Sequence, residues 1–275
     1  MSSVRETQAR EQRTTVRSLA RKKRRGERIA MLTAYDFAFA RIFDAAGIDV
    51  LLVGDSLGNV VQGRDTTLPV TLDEVVYHTR LVARAARRAL VVADMPFGSY
   101  QVSPEEAVRS AVRLVKEGDA QAVKLEGGED VREAIARITA AGIPVMGHVG
   151  LTPQSVHRMG GFRVQGRSEA SRRRVLADAR AVEAAGGFSV VLEGMPAALA
   201  AEITAGLGIP TIGIGAGPDC DGQVLVMHDM LGLSDWTPSF ARQYADLGAL
   251  ASRAARAFAE DVAEGKFPGP EHSYR

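Results

Sequence analysis

VLLVGD (residues 50–55) is an unbroken run of valine and leucine that stops at a glycine and an acid. A run without polar alternation is apolar on both faces, and so reads as a strand of a parallel sheet buried on either side. Core packing gives no reason for an acid where such a strand ends. ALVVAD (89–94) repeats the pattern with Asp94, and AVKLEGG (122–128) repeats it with Glu126. Asp55, Asp94 and Glu126, from three separate strands, can converge on one hard metal ion.

Working outward, apolar runs recur near 29–34, 50–55, 89–94, 121–126, 143–148, 188–193, 209–215 and 223–228, separated by amphipathic, alanine-rich stretches. Eight such runs match the strand number of a (β/α)8 TIM barrel. Ser103-Pro104-Glu105-Glu106 is a helix start, with a capping serine and proline at the first helical position, and Thr71 with Glu74 forms a second capping box. The last two runs are about ten residues apart, short for a crossover, so either that crossover is a turn or one run is misassigned. A long helix is expected over 239–264. The simplest organisation is a basic, partly helical extension over 1–28 and one barrel domain over 29–275.

The chain has 275 residues, 46% hydrophobic and 24% charged, which is an ordinary globular composition. It carries no apolar stretch of membrane-spanning length and no signal-peptide core, so a cytoplasmic protein without membrane contact is expected. The lone Cys220 excludes an internal disulfide framework and a thiolate zinc site. The net charge of +1 conceals an asymmetry, because residues 1–28 hold ten Lys/Arg against three acids. The cluster Arg21-Lys22-Lys23-Arg24-Arg25 reads as the solvated face of a helix rather than a nucleic-acid site, since no aromatic residue is interleaved for base stacking.

The other polar residues gather at the same strand ends. Ser56 follows Asp55, Lys124 lies two residues before Glu126 and so on the same side of its strand, His148 closes the fifth run, Glu193 the sixth, and His228 with Asp229 the eighth. Carboxylates are hard donors suited to Mg²⁺, Ca²⁺ or Mn²⁺, and the five histidines form no His-x-His pair, so zinc is disfavoured. Mg²⁺ takes few protein ligands and leaves room for a bidentate α-keto acid. Glu193, after FSVVL, is a candidate base, with a loop salt bridge as the plain alternative. Lys124 can hold an oxyanion or form a Schiff base; a neighbouring acid such as Glu126 favours charge pairing. His78 reads as structural, and GIGAG (213–217) as a tight turn. Two long connections, 56–70 and 149–167, leave the carboxyl ends of strands and read as binding loops.

These residues sit in recognisable wording. TAYD (33–36), LVGDSLGNVVQGRDTTLPVT (52–71), VVADMPFGSY (91–100), VKLEGG (123–128), GLTPQSV (150–156), GGFRVQGR (160–167), IPTIGIGAGPDCDGQVLVMHDMLG (209–232) and EHSY (271–274) resemble the ketopantoate hydroxymethyltransferase family, from about Thr14 to Arg275. The resemblance implies a barrel of the phosphoenolpyruvate/pyruvate superfamily. It implies Mg²⁺ at Asp55, Asp94 and Glu126, an α-keto acid on Asp55, Ser56, Asp94 and Lys124, and Glu193 as proton acceptor. Tyr35 and His148 match positions near the substrate. It implies 5,10-methylenetetrahydrofolate as co-substrate and a decamer of two stacked pentamers. Arg163 and Arg167 are candidates for the folate's glutamate tail, with a solvated loop as the alternative. The enzymatic rival is another Mg-dependent, enolate-forming lyase or mutase of α-keto acids, which the fold alone does not separate.

Overall fold

The computed structural model describes residues 13–234 and 236–274. The chain divides into two compact units, one reaching to Val226 and one starting at Met227.

In the first unit, helix α1 (Val16–Arg25) precedes strand β1 (Ile29–Thr33). Then follow α2 (Phe37–Ala45), β2 (Val50–Val53), the one-turn α3 (Leu57–Val60), α4 (Leu72–Ala85), β3 (Leu90–Asp94), α5 (Pro104–Lys116), β4 (Ala122–Glu126) and α6 (Arg132–Ala140). The series continues with β5 (Val145–Gly150), the short α7 (Val156–Met159), α8 (Glu169–Ala184), β6 (Ser189–Glu193), α9 (Ala197–Gly206), β7 (Thr211–Ile214) and β8 (Gly222–Leu225). The strands pair in sequence order, all parallel, and β8 returns to β1 to close the barrel. Ser103 and Thr71 cap α5 and α4 as their spacing predicts, accepting hydrogen bonds from the Glu106 and Glu74 N–H groups.

The period of two within each strand sorts side chains inward and outward. Ile29, Met31, Val50, Leu52, Leu90, Val92, Ala122, Met146, Val191, Ile212 and Val224 form the barrel core with Leu19 of α1. Many of these stand near the amino ends of their strands, so α1 stoppers that end with a leucine that is almost fully buried. Two residues of the basic cluster bind the barrel: Lys22 pairs with Asp49 at 2.6 Å, and Lys23 with Asp221 at 2.8 Å. Arg21, Arg24 and Arg25 are exposed, as a solvated face requires.

Between β7 and β8 no helix forms. Residues 215–221 make the crossover as a turn, which resolves the short spacing in favour of two genuine strands. GIGAG belongs to this turn. Gly217 has φ +80°, and a Cβ there would stand 2.4 Å from the Ala197 Cβ, so glycine is needed for close approach to α9.

In the second unit, α10 (Met227–Leu231) includes His228 and Asp229, which the sequence reading assigned to the end of the eighth strand; β8 stops at Leu225. The long C-terminal helix, α11 (Leu247–Ala263), starts eight residues later than the alanine content suggests. Asp246 sets that start, its side chain accepting the Ala249 N–H. No helix among the described residues is long and apolar enough to cross a membrane.

Candidate active site

The inward rows that form the core change character toward the carboxyl ends. Val92 is followed two residues on by Asp94, Ala122 by Lys124 and then Glu126, Met146 by His148, and Val191 by Glu193. The same alternation that places the apolar residues in the core therefore carries these five side chains to one mouth. Register then fixes neighbours: Asp94 lies beside Lys124 across β3–β4, and Glu126 beside His148 across β4–β5. Asp55 arrives differently, just past the end of β2, with its backbone N–H donating to Asp94 Oδ2 at 3.2 Å.

Asp55, Asp94, Lys124, Glu126 and His148 are all buried, and Glu193 is partly exposed. Lys124 Nζ lies 2.6 Å from Asp94 Oδ1, so its direct partner is Asp94 rather than the Glu126 of the sequence reading. Burial opposes the charge on Lys124, but Asp94, Glu126 and Asp55 together hold its pKa above the ordinary value and keep it protonated. The 2.6 Å contact with Asp94 thus favours charge pairing over a Schiff base. Burial pushes Asp94 up to about 7 against the pull of Lys124, with Asp55 adding repulsion. Glu126 is raised well above a normal glutamate by burial and then by Asp55.

His148 stands between two acids. Its Nε2 is 3.1 Å from Glu193 Oε2 and its Nδ1 3.6 Å from Glu126 Oε1. Among the described residues, neither nitrogen has a hydrogen-bond partner in good alignment. Burial, then Lys124, lowers its pKa, so at neutral pH it is a neutral imidazole next to Glu193 rather than a cation paired with it. Gly150, at φ +95°, permits this packing: a Cβ there would fall 2.3 Å from the Glu193 carbonyl oxygen. Ser56 caps no hydrogen bond of α3; its Oγ lies 2.8 Å from Tyr35 Oη. His78 bonds the Tyr35 carbonyl through Nδ1 at 2.6 Å, a structural role as expected.

The sequence reading did not single out Tyr100 and Gln154, both buried at this mouth. Gln154 Nε2 donates to Asp55 Oδ2 at 2.9 Å, and the Gln154 N–H to Glu126 Oε2 at 3.0 Å. From Glu126 a cavity of about 820 Å³ runs outward, bounded among others by Phe97, Val131, Met159, Arg158 and Arg174. Arg163 and Arg167 are exposed and do not line it.

Among the described residues no three of His, Cys, Asp and Glu are gathered as a ready metal cage. The reason is visible in the partners: Asp94 faces Lys124, Asp55 faces Gln154, and Glu126 faces the Gln154 N–H. The donor set itself, three buried carboxylates in which Asp55 raises Asp94 and both raise Glu126, has the chemistry of a hard-cation site.

A sequence model for Ketopantoate hydroxymethyltransferase matches residues 13–270. The chain belongs to this family. The 3-methyl-2-oxobutanoate hydroxymethyltransferase of Syntrophotalea carbinolica is 58% identical over 265 residues, spanning 96% of this chain and 99% of its own. That of Thermobifida fusca is 60% identical over 262 residues, spanning 95% of this chain and 94% of its own. Among solved structures, a phosphonopyruvate hydrolase complex with oxalate and Mg²⁺ superposes with a TM-score of 0.61 at 13% identity, covering 94% of this chain and 93% of that one. A 2,3-dimethylmalate lyase of the PEP mutase/isocitrate lyase superfamily reaches 0.57 at 18% identity, covering 94% and 93%. At such identity these structures show a shared barrel fold alone.

Proposed function

We propose that the barrel mouth of this ketopantoate hydroxymethyltransferase performs the family's reaction with the residues gathered there. The enzyme transfers a hydroxymethyl group from 5,10-methylenetetrahydrofolate to 3-methyl-2-oxobutanoate, giving ketopantoate and tetrahydrofolate. The observation that carries the assignment of roles is the inward row of ionisable groups above an apolar core, which Asp55 joins from just past β2.

Asp55, Asp94 and Glu126 would hold Mg²⁺, which when bound supplies Lewis acidity toward the keto oxygen. Asp55, Ser56, Asp94 and Lys124 would line the keto acid. Lys124, held cationic, faces the negative charge that develops on the substrate oxygen when C3 loses its proton. Glu193 takes that proton. His148, neutral and 3.1 Å from Glu193, leaves the carboxylate free of a fixed counter-cation on that side. The resulting C3 nucleophile forms the new carbon–carbon bond to the one-carbon unit. That unit's two bonds to the folate nitrogens break, and one water supplies the hydroxyl group. The water's other proton and the one taken from C3 end on the two nitrogens of tetrahydrofolate. The cavity beyond Glu126 is far larger than a keto acid with eight non-hydrogen atoms requires, and its volume suits a ligand of folate size. We assign it to the one-carbon donor. The decamer implied by the family resemblance is part of the same proposal, and sedimentation equilibrium tests it.

The decisive experiment follows the C3 proton. Incubated with Mg²⁺ in deuterated water, the enzyme should exchange the C3–H of 3-methyl-2-oxobutanoate, and ketopantoate should form only on addition of methylenetetrahydrofolate. EDTA should stop both. Turnover indifferent to EDTA would sink the metal assignment, and cleavage of an α-keto acid without folate would favour the lyase or mutase rival.

A further inference from the structure

We propose that Gln154 is a positioning residue that holds two of the three metal-binding carboxylates, Asp55 and Glu126, in fixed orientation. The proposal rests on the reading of those acids as Mg²⁺ ligands. Gln154 lies in the single turn Pro153–Ser155 that follows β5 and is 5% exposed. Its side-chain nitrogen donates to Asp55 Oδ2 at 2.9 Å and to the Met95 carbonyl at 3.0 Å. Both partners are acceptors only, so the nitrogen and not the oxygen must face them. Its Oε1 accepts from the Tyr100 hydroxyl at 2.7 Å and from Gln101 Nε2 at 3.2 Å. Its backbone N–H reaches Glu126 Oε2 at 3.0 Å. One residue therefore ties the acid after β2 to the acid at the end of β4.

Tyr100 determines which way the amide points. Its oxygen accepts the Glu126 N–H at 3.1 Å, and its one proton has its shorter contact with Gln154 Oε1, 2.7 Å against 3.1 Å to the Glu126 carbonyl. An amide suits this place on charge grounds. Buried carboxylates at one mouth repel each other, so each needs a donor to hold it. A lysine or arginine donor would compete with the cation, and an acid would add to the repulsion. A neutral amide orients Asp55 without neutralising it, as outer partners of metal ligands do.

The test uses the full chain and Mg²⁺ itself. Mg²⁺ is titrated calorimetrically into wild type, Gln154→Leu and Tyr100→Phe in the presence of 3-methyl-2-oxobutanoate. Gln154→Leu should weaken Mg²⁺ about 10–100-fold. Tyr100→Phe, which frees the amide to rotate, should weaken it in the same direction by less. C3–H exchange by either variant should return to near the wild-type rate once Mg²⁺ is raised to saturation, because Gln154 orients ligands and touches no reacting atom. Wild-type Mg²⁺ affinity in a Gln154→Leu protein with an unchanged melting temperature would overturn the proposal, as would a loss of exchange that saturating Mg²⁺ does not restore. If Gln154→Leu does not fold, unchanged Mg²⁺ affinity in Tyr100→Phe overturns it. A wild type that takes up no Mg²⁺ would instead refute the metal reading, a separate result.

Discussion

Mg²⁺ loading should expel a proton from Asp94. This carboxyl is 1% exposed, and burial lifts its pKa from 3.8 to about 7 even with Lys124 at 2.6 Å. A carboxylate can ligate only when ionised, so below that value metal and proton compete for the same oxygens. With a pKa of about 7, the ionised fraction drops from about nine-tenths at pH 8 to about one-tenth at pH 6. Mg²⁺ affinity should then fall about tenfold across that interval, about 1.4 kcal/mol. Glu126, raised in the same direction, can only steepen the dependence. The same proton acts on stability. Because the folded-state pKa lies above the unfolded one, the metal-free fold binds the extra proton between about pH 4 and 7, so the Asp94 contribution favours folding as pH falls through that window and is lost as pH rises through 7. Calorimetric titrations at pH 6, 7 and 8, in buffer pairs of different ionisation enthalpy, count the protons released per Mg²⁺ bound. A flat affinity from pH 6 to 8 with no proton released would refute the reasoning and mean that Lys124 outweighs burial.

Glu193→Gln should lower C3–H exchange by about 10²–10⁴-fold while Mg²⁺ affinity stays at the wild-type value; unchanged exchange removes Glu193 as the base. Lys124→Met leaves Asp94 buried without its counter-charge, at a cost of about 3–5 kcal/mol when Asp94 is ionised. Denaturant titrations should show a larger loss at pH 8 than at pH 6, where Asp94 takes up a proton, and a pH-independent loss would contradict the pairing. Leu19→Ala should destabilise the protein by about 2–5 kcal/mol. A cost below about 1 kcal/mol in chemical unfolding would show that α1 is not part of the core.

The barrel and most of the mouth were legible because both follow from one local rule. Alternation along β3, β4, β5 and β6 sends Asp94, Lys124, Glu126, His148 and Glu193 to the side that Val92, Ala122, Met146 and Val191 occupy lower down. Asp55 obeys a different rule. Val50 and Leu52 point inward, so Asp55 is out of step with them, and its orientation depends on Gln154, 99 residues away. Tyr100 and Gln154 gave no local signal either, being separated by 54 residues and joined only when β3 and β5 take their places. A glutamine in a turn ordinarily reads as solvated. The β7–β8 crossover and the start of α11 were misjudged or left open for local reasons, one a glycine-rich turn in place of a helix, the other a cap at Asp246 that composition does not weigh.

Helix α1 is also a closure sensor for the chain. Its Lys23 pairs with Asp221 across 198 residues, and its Leu19 belongs to a core cluster with residues of all eight strands. None of those partners is in position until the last strand has met the first. Docking of Leu19 and Lys23 is therefore complete only when long-range contacts of the barrel exist to receive them, while Lys22 needs only Asp49, just before β2. Detachment of α1 and opening of the barrel then become one cooperative event, and proteolytic exposure around Thr15 reports the integrity of the strand pairing between β8 and β1.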